Sequence, residues 1–275
     1  ASDVYKRQDG DTYVCKGFET VADYKLKCHV FSTIGSHGSL TVEQALMNSC
    51  NPYMIHLALE MGNSRFAYYQ SLFGFGKITG IDLPGETTGI VYGDRMTTID
   101  AACNSFGQTI NVNMMQMMAA YCSIINGGML YQPHIVKRIE SANGEVVKEY
   151  KANLVRQTIT ASTSKLLRRY LKNTVEEGTA KKAGVTGYSV AGKTGTAQKG
   201  DRKDNKWIIS FIGHAPAENP KFAIYVVIDE PYGTTGTSGS SADVLTLTHN
   251  ILEKLLPYMN VYKDASDEYE DTSSS

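Results

Sequence analysis

The sequence predicts an α+β fold in which an antiparallel sheet is flanked by helices and joined to a mostly helical subregion. Strand-like segments follow one another directly at residues 188–198, 207–214 and 222–229, as in an antiparallel meander. The segment 242–256 then has the apolar repeat of a helix that packs on one face of such a sheet. Between residues 41 and 125 helical repeats dominate instead.

Length and composition describe an ordinary globular protein. The 275 residues suffice for one large domain with two subregions, and 42% of them are hydrophobic and 20% charged. The formal net charge of -1 gives no reason to expect nucleic acid or an acidic membrane surface as a partner. The sequence shows no apolar run of transmembrane length and no signal peptide. We assign residues 1–258 to one domain and the acidic, Ser-rich residues 259–275 to a disordered tail.

Two helices are predicted around the turn that contains Ser49 and Asn51. Thr41 has the character of a helix N-cap, and Gln44 follows it at the spacing of a capping box. Pro52 suits the first position of the second helix, where it needs no backbone N–H. The turn between the helices should therefore present the side chains of Ser49 and Asn51.

The remaining elements follow from local patterns of apolar, Gly and Asn residues. The predicted elements are a helix at 64–73, a Gly- and Pro-rich loop to about Tyr92, a Met-rich helix at 111–125, a β-hairpin at 129–150 with its turn at Asn143-Gly144, a helix at 162–177, and a Gly/Ser/Thr-rich loop at 233–241. We interpret the methionines of the 111–125 helix as core residues and not as a binding surface.

Five cysteines occur in the chain, at positions 15, 28, 50, 103 and 122. They include no Cys-x-x-Cys pair and no histidine at a ligand-like spacing, so the sequence predicts no zinc site and no cofactor. Cys15 and Cys28 flank a short segment and could form a disulfide in an extracytoplasmic compartment. Free, partly buried thiols are the favoured alternative.

Two short motifs suggest chemistry. Lys193-Thr194-Gly195 ends a strand-like segment, where an ammonium and a hydroxyl can bind a carboxylate and a glycine lets a substrate backbone lie against the strand. Ser49-Cys50-Asn51 forms the helix–helix turn. Each motif alone also fits an unremarkable structural role, as an exposed strand end or a helix connector.

Together the two motifs point to a family. Ser-x-x-Lys, Ser-Asp-Asn and Lys-Thr-Gly are the three motifs of β-lactamases and penicillin-binding proteins, and this chain has the second and third in that order. From about residue 12 to 258 it resembles the transpeptidase domain of class B penicillin-binding proteins of the division and sporulation type. Further matching segments lie, in the family's order, at 38–45, 73–76, 80–86, 105–108 and 177–180. The resemblance implies a fold like that of penicillin-binding proteins and serine β-lactamases.

The resemblance assigns three catalytic roles. Ser49 would relay protons between the family's catalytic lysine and the leaving or attacking amine. Asn51 would hold the substrate amide and orient that lysine. Lys193 would supply positive potential near the substrate carboxylate and Ser49.

The resemblance also implies a substrate-binding strand. Thr194 and Thr196 would hydrogen bond the substrate carboxylate, and the Thr196 backbone N–H would form part of an oxyanion hole. Gly195 would keep the strand open to the ligand. The chain departs from the family at Thr109, where relatives often have glycine after Ser-Phe-Gly-Gln.

The family's nucleophile is the serine of Ser-x-x-Lys, and the chain has one literal copy of that motif at Ser162-Thr163-Ser164-Lys165. We reject it, because the family's pair precedes Ser-x-Asn, whereas this copy follows it. Chance residues on a solvated helix face explain it. We therefore expect the nucleophile, its lysine and an N-terminal membrane anchor to lie before residue 1, and this chain to be inactive by itself.

The resemblance thus implies a serine-type D,D-transpeptidase that cross-links peptidoglycan stem peptides ending in D-Ala-D-Ala and that β-lactams inactivate. It would act at the extracytoplasmic face of the bacterial cell membrane, with a glycosyltransferase, divisome or spore-cortex partner. Two alternatives stay open: a D,D-carboxypeptidase, in which water resolves the acyl-enzyme, and a non-catalytic penicillin-binding scaffold.

Overall fold

The computed structural model describes residues 11–200, 206–231 and 240–264. The chain forms two compact units. The first consists of Ala1–Asn63, Thr97–Thr109 and Leu166–Ser275, and the second of Ser64–Met96 and Ile110–Lys165. In the described part of the chain, no helix combines the length and the apolar character that crossing a bilayer requires.

A three-stranded antiparallel sheet forms the centre of the first unit. Its strands are β9 (Ala191–Lys199), β10 (Lys206–Ala215) and β11 (Phe222–Asp229), in the order β11-β10-β9. The predicted meander is therefore confirmed. Strand β9 lies at one edge of this sheet, and its register with β10 pairs Lys193 with Ile212.

The last helix, α7 (Ala242–Tyr258), contributes its apolar side chains to the core of the first unit. It begins and ends within two residues of the predicted 242–256. Of the predicted loop at 233–241, residues 233–239 lie outside the described residues. The core joins side chains from the sheet, from α7 and from the segments before β9, including Val175, Val190, Ile209, Phe211, Val244, Leu245, Leu252 and Leu256.

The assignment of a disordered tail from residue 259 needs correction at its start. Val261 is 4% exposed and packs into the core. The backbone N–H of Asp264 donates to the carbonyl oxygen of Gly187 at 3.0 Å, and its carboxylate accepts a hydrogen bond from the Ser189 backbone N–H at 2.7 Å. Residues 259–264 therefore belong to the folded unit, because the Val261 side chain packs in the core and the Asp264 carboxylate bonds to the Ser189 backbone. Residues 265–275 lie outside the described residues.

The rest of the first unit contains two small two-stranded sheets and three helices. Strand β1 (Thr12–Cys15) pairs with β4 (Gly38–Thr41), and β2 (Phe18–Val21) pairs with β3 (Tyr24–Lys27). The helices are α1 (Val42–Met47), α2 (Asn51–Met61) and α4 (Thr98–Ser105). The capping box of Thr41 and Gln44 starts α1 as predicted, and Pro52 lies in the first turn of α2.

The second unit contains α3 (Asn63–Leu72), α5 (Met114–Ile125) and four short strands. The predicted hairpin at 129–150 is only partly correct. Strands β6 (Arg138–Glu140) and β7 (Val146–Glu149) do pair around Asn143-Gly144, but β5 (Met129–Gln132) pairs with β8 (Asn153–Gln157), a strand that the sequence did not predict. Helix α6 (Ala161–Glu176) follows, close to its predicted bounds.

Candidate active site

Ser49 lies in the turn between α1 and α2. Its φ is 52°, in the left-handed region that non-glycine residues rarely adopt. The end of α1 supports this turn, since the N–H groups of Ser49 and Cys50 donate to Leu46 O at 3.2 Å and Ala45 O at 2.9 Å. Helix α2 begins directly afterwards, with Cys50 as its N-cap. A strained residue held from both sides is common at functional sites, where the surrounding structure maintains the strain.

Lys193 brings the second motif to the first. It lies on the edge strand β9, and its Nζ donates a hydrogen bond to Ser49 Oγ, although 144 positions separate the two residues. The same Nζ contacts Thr194 O at 3.1 Å and Thr194 Oγ1 at 3.2 Å. The family resemblance placed Lys193 near Ser49, and this hydrogen bond confirms that the two residues meet.

Burial sets the protonation of Lys193. Loss of hydration lowers the pKa of its ammonium from 10.5 to about 8. At neutral pH the side chain is therefore mainly charged, and it releases its proton within about one pH unit of neutrality. A lysine in that condition can both attract an anion and take part in proton transfer.

Asn51 is the first residue of α2, two positions after Ser49. Its side-chain amide nitrogen donates to the carbonyl oxygen of Lys27 at 3.3 Å, which ties the start of α2 to the end of β3. Its assigned role toward a substrate amide stays a prediction.

The three residues after Lys193 continue along the edge strand. Thr196 is exposed, and Thr194 is half-buried. A Cβ atom on Gly195 would lie 2.6 Å from Ser210 Oγ on the neighbouring strand β10. That hydroxyl can rotate away, so packing between the strands does not by itself require glycine here. Two threonine hydroxyls beside a lysine offer the donors that a carboxylate needs.

Thr179 belongs to the site, and the sequence analysis gave it no role. Its Oγ1 lies 3.4 Å from Thr194 Oγ1, and its backbone N–H donates to Met47 O at 3.1 Å. It thus connects the Lys193 strand to the helix end before Ser49. The sequence did indicate this segment, because residues 177–180 match the family. That match does not predict the contact between Thr179 and Thr194.

The rejected Ser162–Lys165 pair lies on the first turns of α6. Both side chains are exposed, and Ser162 Oγ hydrogen bonds with Thr160 Oγ1 at 2.9 Å. Ser164, between them, is buried and accepts a hydrogen bond from the Gly127 backbone N–H at 3.0 Å. This is the solvated helix face that the sequence predicted.

Four potential metal ligands lie beside the Ser49 turn. The donor atoms of Cys15, Cys28, His37 and Cys50 all lie within 4.8 Å of one another, and all five cysteines of the chain are free thiols. A hydrogen bond between two of the thiols lowers the pKa of Cys28 to about 5 and raises that of Cys50. The spacing of the cysteines along the chain gave no sign of this cluster, because the fold assembles it from four separate segments.

The fold and these contacts can be compared with known proteins. Residues 10–253 match the family model described as the penicillin binding protein transpeptidase domain. The chain belongs to this family. Its helix-flanked antiparallel sheet is the fold of that family, as the sequence predicted.

Individual relatives agree with this assignment. Stage V sporulation protein D of Bacillus subtilis is 39% identical over 91% of this chain and 39% of its own length. Peptidoglycan D,D-transpeptidase FtsI of Escherichia coli is 32% identical over 88% of this chain and 40% of its own length. The crystal structure of penicillin binding protein 3 from Mycobacterium tuberculosis complexed with ampicillin gives a TM-score of 0.83 at 28% identity, covering 94% of this chain and 59% of that one. The chain thus spans about two fifths of the length of these two curated relatives.

Proposed function

We propose that this chain forms the Ser-x-Asn and Lys-Thr-Gly part of a serine D,D-transpeptidase that cross-links peptidoglycan stem peptides through an acyl-enzyme. The hydrogen bond from Lys193 to Ser49 is the observation that carries the proposal. It joins the two motifs of the family in one site, with a strained serine on one side and a lysine of lowered pKa on the other. The name of the E. coli relative, a peptidoglycan D,D-transpeptidase, supports the same reaction.

Each group has a role in acyl transfer. The serine of the family's Ser-x-x-Lys attacks the carbonyl carbon of the penultimate D-Ala, and the terminal D-Ala leaves with a proton. An acceptor amine then attacks the ester and releases the serine. Ser49, hydrogen bonded to Lys193, is placed to pass protons to and from these amines, because Lys193 exchanges its proton near neutral pH.

The edge strand supplies the substrate anchor. Lys193, Thr194 and Thr196 would bind the terminal carboxylate of D-Ala-D-Ala or of a β-lactam, by charge-assisted hydrogen bonds worth about 1.5–3 kcal/mol each. Thr179 would orient the Thr194 hydroxyl, which it contacts at 3.4 Å. The ampicillin complex of the M. tuberculosis protein supports β-lactams as ligands of this site.

The setting is part of the proposal. The protein would act at the extracytoplasmic face of the bacterial membrane, with a glycosyltransferase, divisome or spore-cortex partner. The name of the B. subtilis relative, a stage V sporulation protein, supports the spore-cortex alternative.

The test uses the whole protein encoded by the gene that contains this chain. We expect a fluorescent penicillin to label it, and Lys193→Ala to slow labelling by about 100-fold or more without unfolding it, as for loss of an electrostatic active-site donor. Lys199→Ala is the matched control, since Lys199 lies on the same strand but pairs with Asp229 and Glu230. Equal labelling rates for the two variants would contradict the proposed role of Lys193.

A product assay separates the alternatives. With a stem-peptide donor and an acceptor amine, a transpeptidase yields a cross-linked dimer together with free D-Ala. Release of D-Ala without cross-links indicates a carboxypeptidase. Penicillin binding with neither product indicates a scaffold.

A further inference from the structure

The cluster of Cys15, Cys28, His37 and Cys50 is a built site and not a chance meeting of thiols. The three sulfur-bearing residues are 1%, 3% and 0% exposed, and the histidine is half-buried. They come from the end of β1, the segment after β3, the segment before β4, and the N-cap of α2. Four elements of the first unit therefore converge on one point.

The separations suit a tetrahedral ion. With Zn–S bonds of about 2.3 Å and Zn–N bonds of about 2.05 Å, the edges of a tetrahedron are about 3.6 Å for S···N and about 3.8 Å for S···S. His37 Nδ1 lies 3.5 Å from Cys28 Sγ and 3.9 Å from Cys15 Sγ. No pair of the four donor atoms is more than 4.8 Å apart.

The surrounding backbone is arranged to stabilise thiolates. The N–H of Gly17 donates a hydrogen bond to Cys15 Sγ at 3.3 Å. Gly17 has a φ of 86°, and a Cβ atom there would lie 2.0 Å from Gly35 O. Only glycine allows this close approach, which brings the segment before His37 against the turn after Cys15.

We propose that Cys15, Cys28, His37 and Cys50 bind one Zn²⁺ ion, and that this ion fixes the turn that carries Ser49 and Asn51. Three thiolates and one imidazole in a closed, buried, tetrahedral set are a common structural zinc site. Soft sulfur ligands select zinc over the oxygen-preferring cations. A disulfide would use only two of the three sulfurs and would leave the third thiol and the histidine unexplained.

The link to the proposed active site is covalent. Cys50 is the middle residue of the Ser49-Cys50-Asn51 motif, and Ser49 beside it has a φ of 52°. A metal bond to Cys50 Sγ would hold the start of α2 against the β1 and β3 segments. The ion would thereby maintain the unusual backbone of Ser49, whether or not the chain has the activity proposed above.

The first experiment measures metal in the 275-residue chain, purified with a reductant and without chelator. We expect one zinc per chain by elemental mass spectrometry, and tetrahedral cobalt–thiolate absorption bands after exchange with Co²⁺. Cys28→Ser and Cys50→Ser should each lower the affinity for Zn²⁺ more than about 100-fold, beyond the 10–100-fold effect of losing an outer-shell group. Cys103→Ser and Cys122→Ser are matched controls and should keep one zinc.

A second measurement does not depend on variants that fold. In the unmodified chain, Zn²⁺ should protect Cys15, Cys28 and Cys50 from alkylation by iodoacetamide, read residue by residue by peptide mass spectrometry, and should leave Cys103 and Cys122 unchanged. Three results would each overturn the proposal. They are a zinc content in the Cys28→Ser/Cys50→Ser chain equal to that of the unmodified chain, iron bound in place of zinc, and a disulfide whose reduction gives no zinc uptake.

Hydrogen exchange tests the link to Ser49. Adding Zn²⁺ to the metal-free chain should slow exchange in peptides that cover residues 45–55 by at least about tenfold, and should leave peptides from α7 unchanged. If one zinc binds per chain but exchange in residues 45–55 is not slowed, the metal site stands and its proposed effect on the Ser49 turn is wrong.

Discussion

The backbone N–H of Thr179 donates a hydrogen bond to the carbonyl oxygen of Met47 at 3.1 Å. Met47 is the last residue of α1, two positions before Ser49, and the Thr179 hydroxyl lies 3.4 Å from that of Thr194. One residue thus contacts both the helix that leads to the serine motif and the strand that carries the lysine motif. The spacing between Ser49 and Lys193 depends on this connection as well as on their own hydrogen bond.

Gly178→Ala should loosen that connection. A Cβ atom at this position would lie 2.8 Å from Met47 O and 2.8 Å from Thr174 O, and neither backbone atom can move cheaply. We expect the free energy of unfolding in urea to fall by about 1–3 kcal/mol, the usual effect of overpacking. Glu177→Ala, at the exposed neighbouring position, should change it by less than about 0.5 kcal/mol. Similar values for the two variants would show that the approach of Gly178 to Met47 is not tight.

Lys193→Met should stabilise the chain at neutral pH. Burial lowers the pKa of Lys193 to about 8 in the folded chain against 10.5. Below about pH 8 both states are protonated, so the folded state bears the full cost of the half-buried charge. Between pH 8 and 10.5 the unfolded state binds more protons, and the stability of the unmodified chain rises with pH. The variant should gain on the order of 1 kcal/mol at pH 7, after its lost hydrogen bonds are counted.

Urea unfolding of both chains from pH 6.5 to pH 10 checks this expectation, and the advantage of Lys193→Met should shrink above pH 8. Lys199→Met is the control, because the pKa of Lys199 is raised by Asp229 and Glu230. Its ion pairs are exposed and screened by solvent, and removing them should not stabilise the chain. A loss of stability in Lys193→Met at pH 7 would mean that its hydrogen bonds outweigh the burial of its charge.

Local signals made part of this fold predictable. The capping box of Thr41 and Gln44 and the proline at position 52 located α1 and α2, because each acts on backbone groups within four residues. Helix α4 carries an equivalent signal in Thr97 and Asp100, which form a capping box. That pair lies between the predicted elements, in a region where no helix was predicted.

The long-range contacts were not predictable in the same way. Strand β8 pairs with β5 across an intervening hairpin, and nothing local distinguishes this pairing from a single long hairpin. The cysteine cluster combines residues up to 35 positions apart, so spacing rules for compact zinc motifs do not detect it. The contact of Ser49 with Lys193 was foreseen only because the family resemblance supplied it.

The folded chain should be more stable with Thr109→Gly than with Thr109→Ala. Its φ is 60°, in the left-handed region, and its hydroxyl accepts a hydrogen bond from Asn104 Nδ2 at 2.9 Å. Both variants lose that hydrogen bond, but only glycine also relieves the backbone, a difference of roughly 1 kcal/mol in the free energy of unfolding. At the exposed helical position Lys165 the order should reverse, with alanine about 1 kcal/mol more stable than glycine. Thermal or urea unfolding of the four variants measures these differences. If the alanine variant is more stable than the glycine variant at both positions, the backbone argument is wrong.

The 275-residue chain should form no covalent adduct with benzylpenicillin. Acylation needs a serine whose proton a neighbouring base removes, and the literal Ser-x-x-Lys does not meet that need. Ser162 and Lys165 are both exposed, and the Ser162 hydroxyl hydrogen bonds with Thr160 and not with its lysine in any described contact. Intact-mass spectrometry after long incubation should therefore show the unmodified mass.

In the whole protein, Ser162→Ala should leave labelling by a fluorescent penicillin unchanged, whereas Ser49→Ala should slow it by about 100-fold or more. A penicilloyl group on Ser162, or loss of labelling in folded Ser162→Ala, would show that the nucleophile lies on α6.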